Sequence, residues 1–488
     1  MLRSVGLFGA LITFISGCKL PDEPVLLTDA SLGADDPRME SPSPAIDDRL
    51  PDNTWSDGDE TDGASMEDAS DEEDAGEQGE QVMVDAGADA TYETAADAGP
   101  DQPFDGAPPD DAKRCDETSI RPMIAAGEYH TCALLNTGGV RCWGEDANGQ
   151  LGDAMMNLRP QPADQDLPLG VAVQAVAAGG GETCVLTSAG GVRCWGDNFW
   201  GSLGFDSNQV DLSSPPTMDV VTGAQAIAVG LYHVCALTVA GGVRCWGYNG
   251  DGELGDGTTV VSRSIPPITD VSLGIRVKAI SAGIYHTCAL TIEGGVRCWG
   301  YNYYGQLGDG SLDDRFSPPT TDVAIDSPVK AIAAGGLHTC ALTEAGGVRC
   351  WGANQDGQLG MTTPVQSSAP TTDVPIDAPI KAIAAGGAST CAVTVTGGVR
   401  CWGYNGNGEL GGGTVGPSRS APGQDIAIDG PVQSIAMGDS HACALTSDGR
   451  IQCWGANGSG QLGDGTSASV RPSPAPVKGL DTLCRSGE

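Results

Sequence analysis

The fold is decided by a stretch that reads CALTEAGGVRCW at residues 340–351 and that recurs, with substitutions, in seven copies along the chain. Each copy carries two cysteines ten positions apart, and the second cysteine is always followed by Trp-Gly. From one of these tryptophans to the next the spacing is 52, 51, 53, 52, 51 and 52 residues. A period this regular is typical of a repeat architecture, in which each unit is one supersecondary element.

The repeated stretch predicts a β-hairpin. In the copy at 340–351, two short alternating segments are separated by Glu-Ala-Gly, and glycine supplies the positive φ that a tight turn requires. A register symmetric about the turn sets Cys340 opposite Cys350 and Leu342 opposite Val348, all on one face of the hairpin. Cysteines opposed in this way can form a cross-strand disulfide if their Cα atoms lie about 4.4–6.8 Å apart.

The sequence around the hairpin predicts three or four short strands per unit of about 52 residues. A segment such as residues 329–335 precedes the hairpin, and a glycine-rich loop and a proline-containing segment follow it. Seven such units predict an all-β fold, a seven-bladed β-propeller that we place at residues 115–488. An open stack of sheets would need capping sequences at its ends, and none is visible.

The units resemble the regulator of chromosome condensation repeat family. The matching motif is AAGxxHTCALT followed by GxVxCWGxNxxGQLGDGT, and the resemblance covers about residues 120–480. The resemblance implies a seven-bladed propeller. It does not settle the function, because propellers of this family serve as exchange factors, inhibitors and general interaction modules.

The N-terminal residues predict export and lipidation. Arg3 is followed by an apolar run over residues 5–14, which is too short for a membrane anchor and typical of a secretory signal. Residues 15–18, Ile-Ser-Gly-Cys, resemble the bacterial lipobox, which implies that Cys18 is lipidated and that the signal peptide at 1–17 is removed. Lys19 is not the aspartate that retains enteric lipoproteins at the inner membrane. We therefore predict a lipid-anchored protein of the bacterial cell envelope, at the outer membrane; an ordinary signal peptide is the alternative.

Residues 18–114 comprise the lipidated cysteine and a linker that is predicted to be disordered. Residues 19–114 hold 29 acidic against 5 basic side chains, a charge of −24, and few large apolar residues. Such a segment cannot bury enough apolar surface to offset its chain entropy. A calcium-binding array is disfavoured, because the aspartates have no regular ligand spacing. The formal charge of −39 for the whole chain argues against electrostatic binding of nucleic acid.

The seventeen cysteines divide into three groups. Besides Cys18, two of them, Cys115 and Cys484, flank the repeat array, and a bridge between them would lock the ring closed. The other fourteen form the hairpin pairs Cys132 and Cys142, Cys184 and Cys194, Cys235 and Cys245, Cys288 and Cys298, Cys340 and Cys350, Cys391 and Cys401, and Cys443 and Cys453. We predict disulfides in all these pairs, because an exported chain with a fully paired cysteine count is expected to be oxidised. Metal sites of the type His130, Cys132 and Cys142 are disfavoured, since two units lack the histidine.

No cluster of residues indicates a catalytic site. The five histidines hold the same repeat position, two before the first cysteine, where the other two units have Glu182 and Ser389. A residue repeated around a ring is interpreted as structural, because catalysis requires one asymmetric cluster. Tyr129, Tyr232 and Tyr285, each one residue before a histidine, are interpreted in the same way. We therefore predict a monomer with no enzyme activity, no cofactor and no metal ion.

Residues that break the repeat are the best guide to a partner surface. Phe199 and Trp200 in the second unit, and Tyr303 and Tyr304 in the fourth, occupy equivalent loop positions. Aromatic side chains on loops are typical anchors of binding surfaces. The alternative is that these four residues cover apolar surface between neighbouring blades.

Four functions are considered, and we favour a surface-anchored module that binds an extracytoplasmic protein or a glycan. The alternative is a protein inhibitor of an enzyme, by resemblance to a secreted bacterial β-lactamase inhibitory propeller of this repeat type, none of whose contacts can be matched here. A propeller lyase or hydrolase is less favoured, since no catalytic cluster is found. Nucleotide exchange on a small GTPase, the activity of the family's eukaryotic founder, is disfavoured by the predicted export and the acidic charge.

Overall fold

Each repeat unit forms one antiparallel sheet, and seven such sheets are present in the described part of the chain. They are seen in a computed structural model that describes residues 120–206, 210–362, 365–370 and 372–480. These residues lie in the compact unit 102–488 and form strands, turns and loops but no helix. The predicted all-β, seven-bladed propeller is confirmed. The predicted lipidation site Cys18, the linker, and the closing pair Cys115 and Cys484 lie outside the described residues.

Each blade is built from three consecutive strands, which we number from the centre of the ring outward. The first strands are Met123–Ala126, Val173–Ala178, Ala224–Val229, Val277–Ala282, Val329–Ala334, Ile380–Gly386 and Val432–Met437. The second strands are His130–Leu134, Glu182–Thr187, His233–Thr238, His286–Thr291, His338–Thr343, Ser389–Thr394 and His441–Thr446. The third strands are Val140–Gly144, Val192–Gly196, Val243–Tyr248, Val296–Gly300, Val348–Ala353, Val399–Gly403 and Ile451–Ala456.

A fourth, outer strand is present in blades 3, 5 and 7 of the described chain. These outer strands are Ser262–Arg263, Gln366–Ser367 and Val470–Pro476. In blades 1, 2, 4 and 6 a single β-bridge from the glycine of the Trp-Gly pair takes the place of the outer strand, as between Gly300 and Arg315. The outer edge is therefore short in blades 1 to 6, which limits pairing with other chains, whereas blade 7 has an outer strand of seven residues.

The second and third strands pair in the predicted register. Cys340 lies opposite Cys350 and Leu342 opposite Val348, and the other six hairpins repeat this arrangement. Gly346 in the turn has a φ of 89°, a conformation that residues with a side chain rarely adopt.

A disulfide closes each of the seven hairpins, as the sequence predicts. The Cα atoms of each pair are 4.1 Å apart, slightly closer than the expected range. The disulfides lie at directly opposed residues that exchange no backbone hydrogen bonds, which are the closest pairs of an antiparallel sheet, with Cα atoms about 4.5 Å apart. The bonds join Cys132 to Cys142, Cys184 to Cys194, Cys235 to Cys245, Cys288 to Cys298, Cys340 to Cys350, Cys391 to Cys401, and Cys443 to Cys453.

The hydrophobic cores lie between neighbouring blades. The disulfide of Cys340 with Cys350 and the side chain of Leu342, both in blade 5, pack against Trp402 of blade 6. The same combination recurs at the other junctions, except that Val393 replaces the leucine in blade 6. The tryptophans of all seven Trp-Gly pairs are fully buried. Each sheet is thus covered on both faces, and its second strand is buried along its whole length. The disulfide therefore crosslinks a hairpin and also contributes to the core shared with the next blade.

Blade 7 closes against blade 1 through the contacts that join any two consecutive blades. Trp143 of blade 1 packs on the hairpin of Cys443 and Cys453 in blade 7, and its indole Nε1 donates a hydrogen bond of 2.9 Å to the carbonyl of Gln461. The sheet of blade 7 is formed by residues 432–476 alone, so blades 7 and 1 share no strand in the described structure. Ring closure in the described residues rests on packing and hydrogen bonds.

The two ends of the propeller differ. We call the end that carries the loop between the first and second strands, together with the loop after Trp-Gly, the loop face. Backbone hydrogen bonds join these two loops in each blade, as from Tyr248 N to the carbonyl of Tyr232. We call the opposite end, which carries the hairpin turns, the turn face. There the arginines of the third strands pair with aspartates of the connecting segments, as Arg193 does with Asp219.

Candidate functional site

The five repeated histidines form a network between blades. Each is buried, and its Nε2 lies 2.8–2.9 Å from the hydroxyl of a threonine in the next blade. The pairs are His130–Thr183, His233–Thr287, His286–Thr339, His338–Thr390 and His441–Thr131. Each threonine also donates to a loop carbonyl that accepts the indole N–H of a Trp-Gly tryptophan; Thr339 and Trp351 share the carbonyl of Gln306 in this way.

This network fixes the protonation of the histidines. Because the threonine hydroxyl donates its one hydrogen to the carbonyl, it accepts from the histidine, so Nε2 carries the proton. Nδ1 is buried and has no hydrogen-bond partner. Burial lowers the pKa of His338 from 6.5 to about 4, since the imidazolium would be desolvated. These imidazoles are therefore neutral, engaged structural groups and not bases facing solvent.

The two units without histidine also lack the threonine that would face it. In blade 2, Glu182 stands at the histidine position, and Val234 stands at the threonine position of blade 3. In blade 6, Ser389 stands at the histidine position, and Ala442 stands at the threonine position of blade 7. The Ser389 hydroxyl donates instead to the carbonyl of Tyr404, at 3.0 Å. The paired loss of both partners supports the structural interpretation of the histidines. It also leaves Glu182 as a carboxyl group without the partner that its repeat position normally has.

Glu182 is a buried ionisable group at the junction of blades 2 and 3. Its side chain is fully buried; one oxygen accepts from the backbone N–H of Gly181 at 3.1 Å, and the other has no partner. Burial raises the pKa of Glu182 well above 4.5, and the nearby carboxylates of Asp197 and Glu128 raise it further. The carboxyl carbon lies 3.1 Å from the position that a Cβ on Gly179 would occupy, and Gly179 lines the central opening.

The four predicted binding residues are the two ends of one continuous set of aromatic rings. Phe199 contacts Trp200 at a ring-centroid distance of 4.8 Å, and Tyr303 contacts Tyr304 at 5.1 Å. Between these pairs run contacts of 4.8–6.4 Å through four further tyrosines of blades 3 and 4. We call the whole set the aromatic arc: Phe199, Trp200, Tyr232, Tyr248, Tyr285, Tyr301, Tyr303 and Tyr304.

The aromatic arc lies on the loop face across blades 2 to 4. Phe199 and Tyr303 are 55% and 62% exposed, and the other six rings are half-buried. Tyr232 and Tyr285 are predicted from the sequence to be structural, but they belong to the arc, together with Tyr248 and Tyr301, for which the sequence makes no prediction. A signal for the latter two exists, because only units 3, 4 and 6 have tyrosine directly after Trp-Gly. The third such residue, Tyr404, lies in blade 6, outside the arc.

The loop face carries acidic side chains and no basic ones in two sets of loop segments. These segments are the loops that follow the first strands (127–129 and its six equivalents) and the seven residues after each Trp-Gly (145–151 and its six equivalents). They contain no lysine or arginine and nine acidic residues: Glu128, Glu145, Asp146, Asp197, Asp251, Glu253, Asp356, Glu409 and Asp439. Burial raises the pKa of Glu253 to about 7, with smaller contributions from Asp251 and Asp314.

The central opening has a cavity of about 100 Å³ at the loop face. Its rim is formed by the residue that follows the first glycine of each loop. Blades 7 and 1 contribute Asp439 and Glu128, whereas blades 3 and 4 contribute Leu231 and Ile284; the other three blades contribute glycine. The rim is therefore acidic on one side and apolar on the other, and Tyr232 and Tyr285 of the aromatic arc directly follow the two apolar rim residues.

Among the described residues, no group of three or more histidine, cysteine, aspartate or glutamate side chains is placed to hold a metal ion. Within the same part of the chain, no helix is long and apolar enough to cross a membrane.

The chain is similar to proteins of one repeat family. Residues 94–422 match the model of the RCC1-like domain, and residues 432–461 match that of the regulator of chromosome condensation (RCC1) repeat. The ultraviolet-B receptor UVR8 of Arabidopsis thaliana is 31% identical over 381 residues, which are 76% of this chain and 86% of that protein.

Two solved structures of yeast RCC1, called Prp20, have the same fold. Prp20 bound to Kap60 superposes with a TM-score of 0.62 at 21% identity, over 76% of this chain and 91% of that one. A second Prp20 structure, from Saccharomyces cerevisiae, gives a TM-score of 0.58 at 23% identity, over 70% and 86%. At these identities the likeness concerns the fold alone.

Proposed function

The chain belongs to the regulator of chromosome condensation repeat family, and from this premise we propose that its propeller is a binding module whose partner docks on the aromatic arc. Family membership favours a binding role: Prp20 is described in complex with Kap60 and by its binding to Gsp1p and histones. The observation that carries the proposal is the arc itself. Eight contiguous rings on one face supply rigid apolar area with polar edges, which is the composition of binding hot spots.

The arc is a better candidate than any repeated feature of the propeller. The histidines, threonines and Trp-Gly tryptophans are buried and engaged between blades, and the arginines of the turn face are paired with aspartates. The arc, in contrast, is confined to three of the seven blades, and the residues at its two ends, Phe199 with Trp200 and Tyr303 with Tyr304, break the repeat. Specificity requires such asymmetry, because a surface repeated seven times presents no single orientation to a partner.

We further propose that the propeller is displayed in the bacterial cell envelope, at the outer membrane, by a lipid on Cys18. The lipobox-like residues 15–18 and the acidic linker at 19–114 support this location. In a bacterial host grown with a labelled fatty acid, the wild-type chain should incorporate the label and a Cys18→Ala variant should not. Incorporation at an equal level in both would overturn the anchoring proposal. The partner is then an extracytoplasmic protein or a glycan.

The binding proposal is tested by comparing capture of envelope components by three forms of the full chain. A Trp200→Ala, Tyr304→Ala variant removes two large rings from opposite ends of the arc. A Tyr404→Ala variant is the matched control, because Tyr404 occupies the same repeat position as Tyr248 and Tyr301 but lies outside the arc. We expect the arc variant to lose components that the wild type and the control retain. Equal capture by all three would overturn the proposal.

A further inference from the structure

Building on the proposed function, we infer that the partner is a basic polypeptide, and that one of its lysine or arginine side chains enters the central opening between Glu128 and Asp439 while the adjoining residues lie on the aromatic arc. This names the chemistry of the partner, which the proposed function leaves open between protein and glycan.

The rim of the central opening matches the two parts of a long basic side chain. Lysine and arginine combine an apolar stem with a cationic end group, and they bury the stem while the end group seeks a charge or water. Leu231 and Ile284 offer an apolar surface to the stem from blades 3 and 4. Glu128 and Asp439, from the adjacent blades 1 and 7, offer carboxylates to the end group on the other side. The cavity of about 100 Å³ admits a single side chain and not a folded segment.

The rim of the opening holds two carboxylates, Glu128 and Asp439, and none of the residues that line it is basic. The loop-face segments contain nine acidic residues and no lysine or arginine. The arginines of the third strands point to the other end of the ring and are paired there, as Arg297 is with Asp322. After burial, the neighbouring carboxylates Asp439 and Glu145 contribute to the raised pKa of Glu128. A concave site lined by charges of one sign focuses its field and attracts the opposite charge.

Glu182 is a second, independent indication of a missing hydrogen-bond partner. Its buried, unpartnered oxygen belongs to a carboxyl group beside Gly179 in the wall of the opening. A buried polar group without a partner costs free energy, so a hydrogen-bonding group that reaches it is favoured. Ammonium and guanidinium groups carry several donors. Because burial raises the pKa of Glu182 well above 4.5 and favours its protonated form, Glu182 offers hydrogen-bonding capacity beside the wall of the opening and does not add to the negative charge of the rim.

The aromatic arc extends the preference for cationic side chains from the opening to the surface beside it. Cationic side chains are attracted to the faces of tryptophan and tyrosine rings within about 6 Å, and arginine stacks on them. The arc begins next to the apolar side of the rim, because Tyr232 follows Leu231 and Tyr285 follows Ile284. A basic segment can therefore place one side chain in the opening and others along the rings. An acidic peptide would meet repulsion over the same path, and a neutral glycan would leave the carboxylates without a counter-charge.

The test uses a short unstructured peptide with several lysines and two analogues of the same length, one with acetyl-lysine and one with glutamate at the lysine positions. Binding to the full-length wild-type chain is measured by fluorescence anisotropy at about 0.1 M salt, where charges beyond about 10 Å are screened. We expect the lysine peptide to bind at least about tenfold more tightly than either analogue, as one or two charge-assisted hydrogen bonds imply. Equal binding of the three peptides would overturn the inference.

Two double variants locate the binding. Glu128→Gln with Asp439→Asn removes two charges at the opening, and we expect the lysine peptide to bind about tenfold more weakly. Glu293→Gln with Glu344→Gln removes two charges from exposed hairpin turns on the turn face, and we expect a change of less than about twofold. All forms keep the same acidic linker, so general attraction to a chain of charge −39 would weaken equally in both variants and would also overturn the inference.

The inference and the proposed function fail in different ways. If the Trp200→Ala, Tyr304→Ala variant loses its envelope partner but the lysine peptide shows no preference for the opening, the arc is the binding surface and the basic partner is wrong. If capture is unchanged in that variant, the proposed function itself is wrong.

Discussion

Rebuilding the missing histidine–threonine pair between blades 2 and 3 should stabilise the propeller. Glu182 stands where five units have histidine, and Val234 stands where their threonine lies. In a Glu182→His, Val234→Thr variant, the new Nε2–H faces a hydroxyl, as at His286 and Thr339, where the distance is 2.8 Å. The new hydroxyl in turn faces the carbonyl of Ser202, which already accepts from Trp246 at 2.8 Å.

The magnitude follows from the groups that change. The wild type has a buried carboxyl oxygen without a partner, which costs about 1–3 kcal/mol, and the variant gains a hydrogen bond of about 1 kcal/mol. The new Nδ1 is buried without a partner, as at the five histidines, and this offsets about 1 kcal/mol, so we expect the double variant to unfold with a free energy about 1–3 kcal/mol larger than that of the wild type. Glu182→His alone should gain less, because its N–H would face Val234. The coupling between the two substitutions should be about 1 kcal/mol in favour of the pair.

The stabilisation should also depend on pH. Because the folded pKa of Glu182 is raised, the folded wild type binds more protons than the unfolded chain above about pH 4.5, and its stability falls as pH rises. The advantage of the variant should therefore grow as pH rises above about 4.5, because the unfolded wild-type chain then releases a proton that the folded chain still holds.

Urea unfolding of the wild type, both single variants and the double variant, with disulfides intact, measures these quantities. Ser389→His with Ala442→Thr is the matched control at the junction of blades 6 and 7, which also lacks the histidine–threonine pair. Its gain should be smaller, because Ser389 already has a partner in the carbonyl of Tyr404. Strict additivity of the Glu182 and Val234 substitutions, or a double variant less stable than the wild type, would refute the account of the blade junction.

Three further predictions concern the scaffold. Thr339→Val should destabilise the propeller by about 1–3 kcal/mol in urea, because it leaves the buried N–H of His286 without an acceptor; an unchanged unfolding midpoint would contradict this. Cys340→Ser with Cys350→Ser should cost about 2–3 kcal/mol, as the chain-entropy model gives for a loop of this length, and mass spectrometry of the unreduced wild type should find no free thiol at any hairpin cysteine. The five histidines should show no titration of their NMR ring-proton shifts between about pH 5 and pH 8, since burial lowers each pKa to about 3 or about 4. Because these folded values lie below the unfolded value of about 6.5, the histidines reduce stability as pH falls from about 6.5 toward 4, and a histidine that titrates near pH 6.5 would contradict the blade network.

The fold was predictable because its determinants repeat. The alternation of residues 340–343 and 347–351 about a glycine turn specifies the hairpin and its register without reference to the rest of the chain. The seven-fold period then specifies the ring. The partner of each histidine was not predictable, because it lies 52–54 residues further along the chain in most pairs and becomes a neighbour only when two sheets stack. The joint replacement of the histidine by Glu182 and of the threonine by Val234 was a signal of that contact in the sequence. It could be interpreted only once the stacking of the two sheets was known.

The candidate site was predictable from the sequence only where its residues break the repeat. Phe199, Trp200, Tyr303 and Tyr304 break the repeat and could be identified as exceptional. The tyrosines at 232 and 285 follow the repeat, so nothing in the sequence alone separates them from structural residues. They join the arc because the loop after the first strand and the loop after Trp-Gly are held together by backbone hydrogen bonds within each blade. That proximity depends on the pairing of strands within the blade.

The most direct test of the central claim, that specificity lies on the loop face at the aromatic arc, is the hydrogen-exchange footprint of a captured partner on the full chain. Backbone amides at 197–204, 230–232, 283–285 and 301–308 should become protected on binding. The hairpin turns at 188–191, 292–295 and 344–347 should exchange as in the free protein. Protection of the turns with no change in the arc segments would contradict the account.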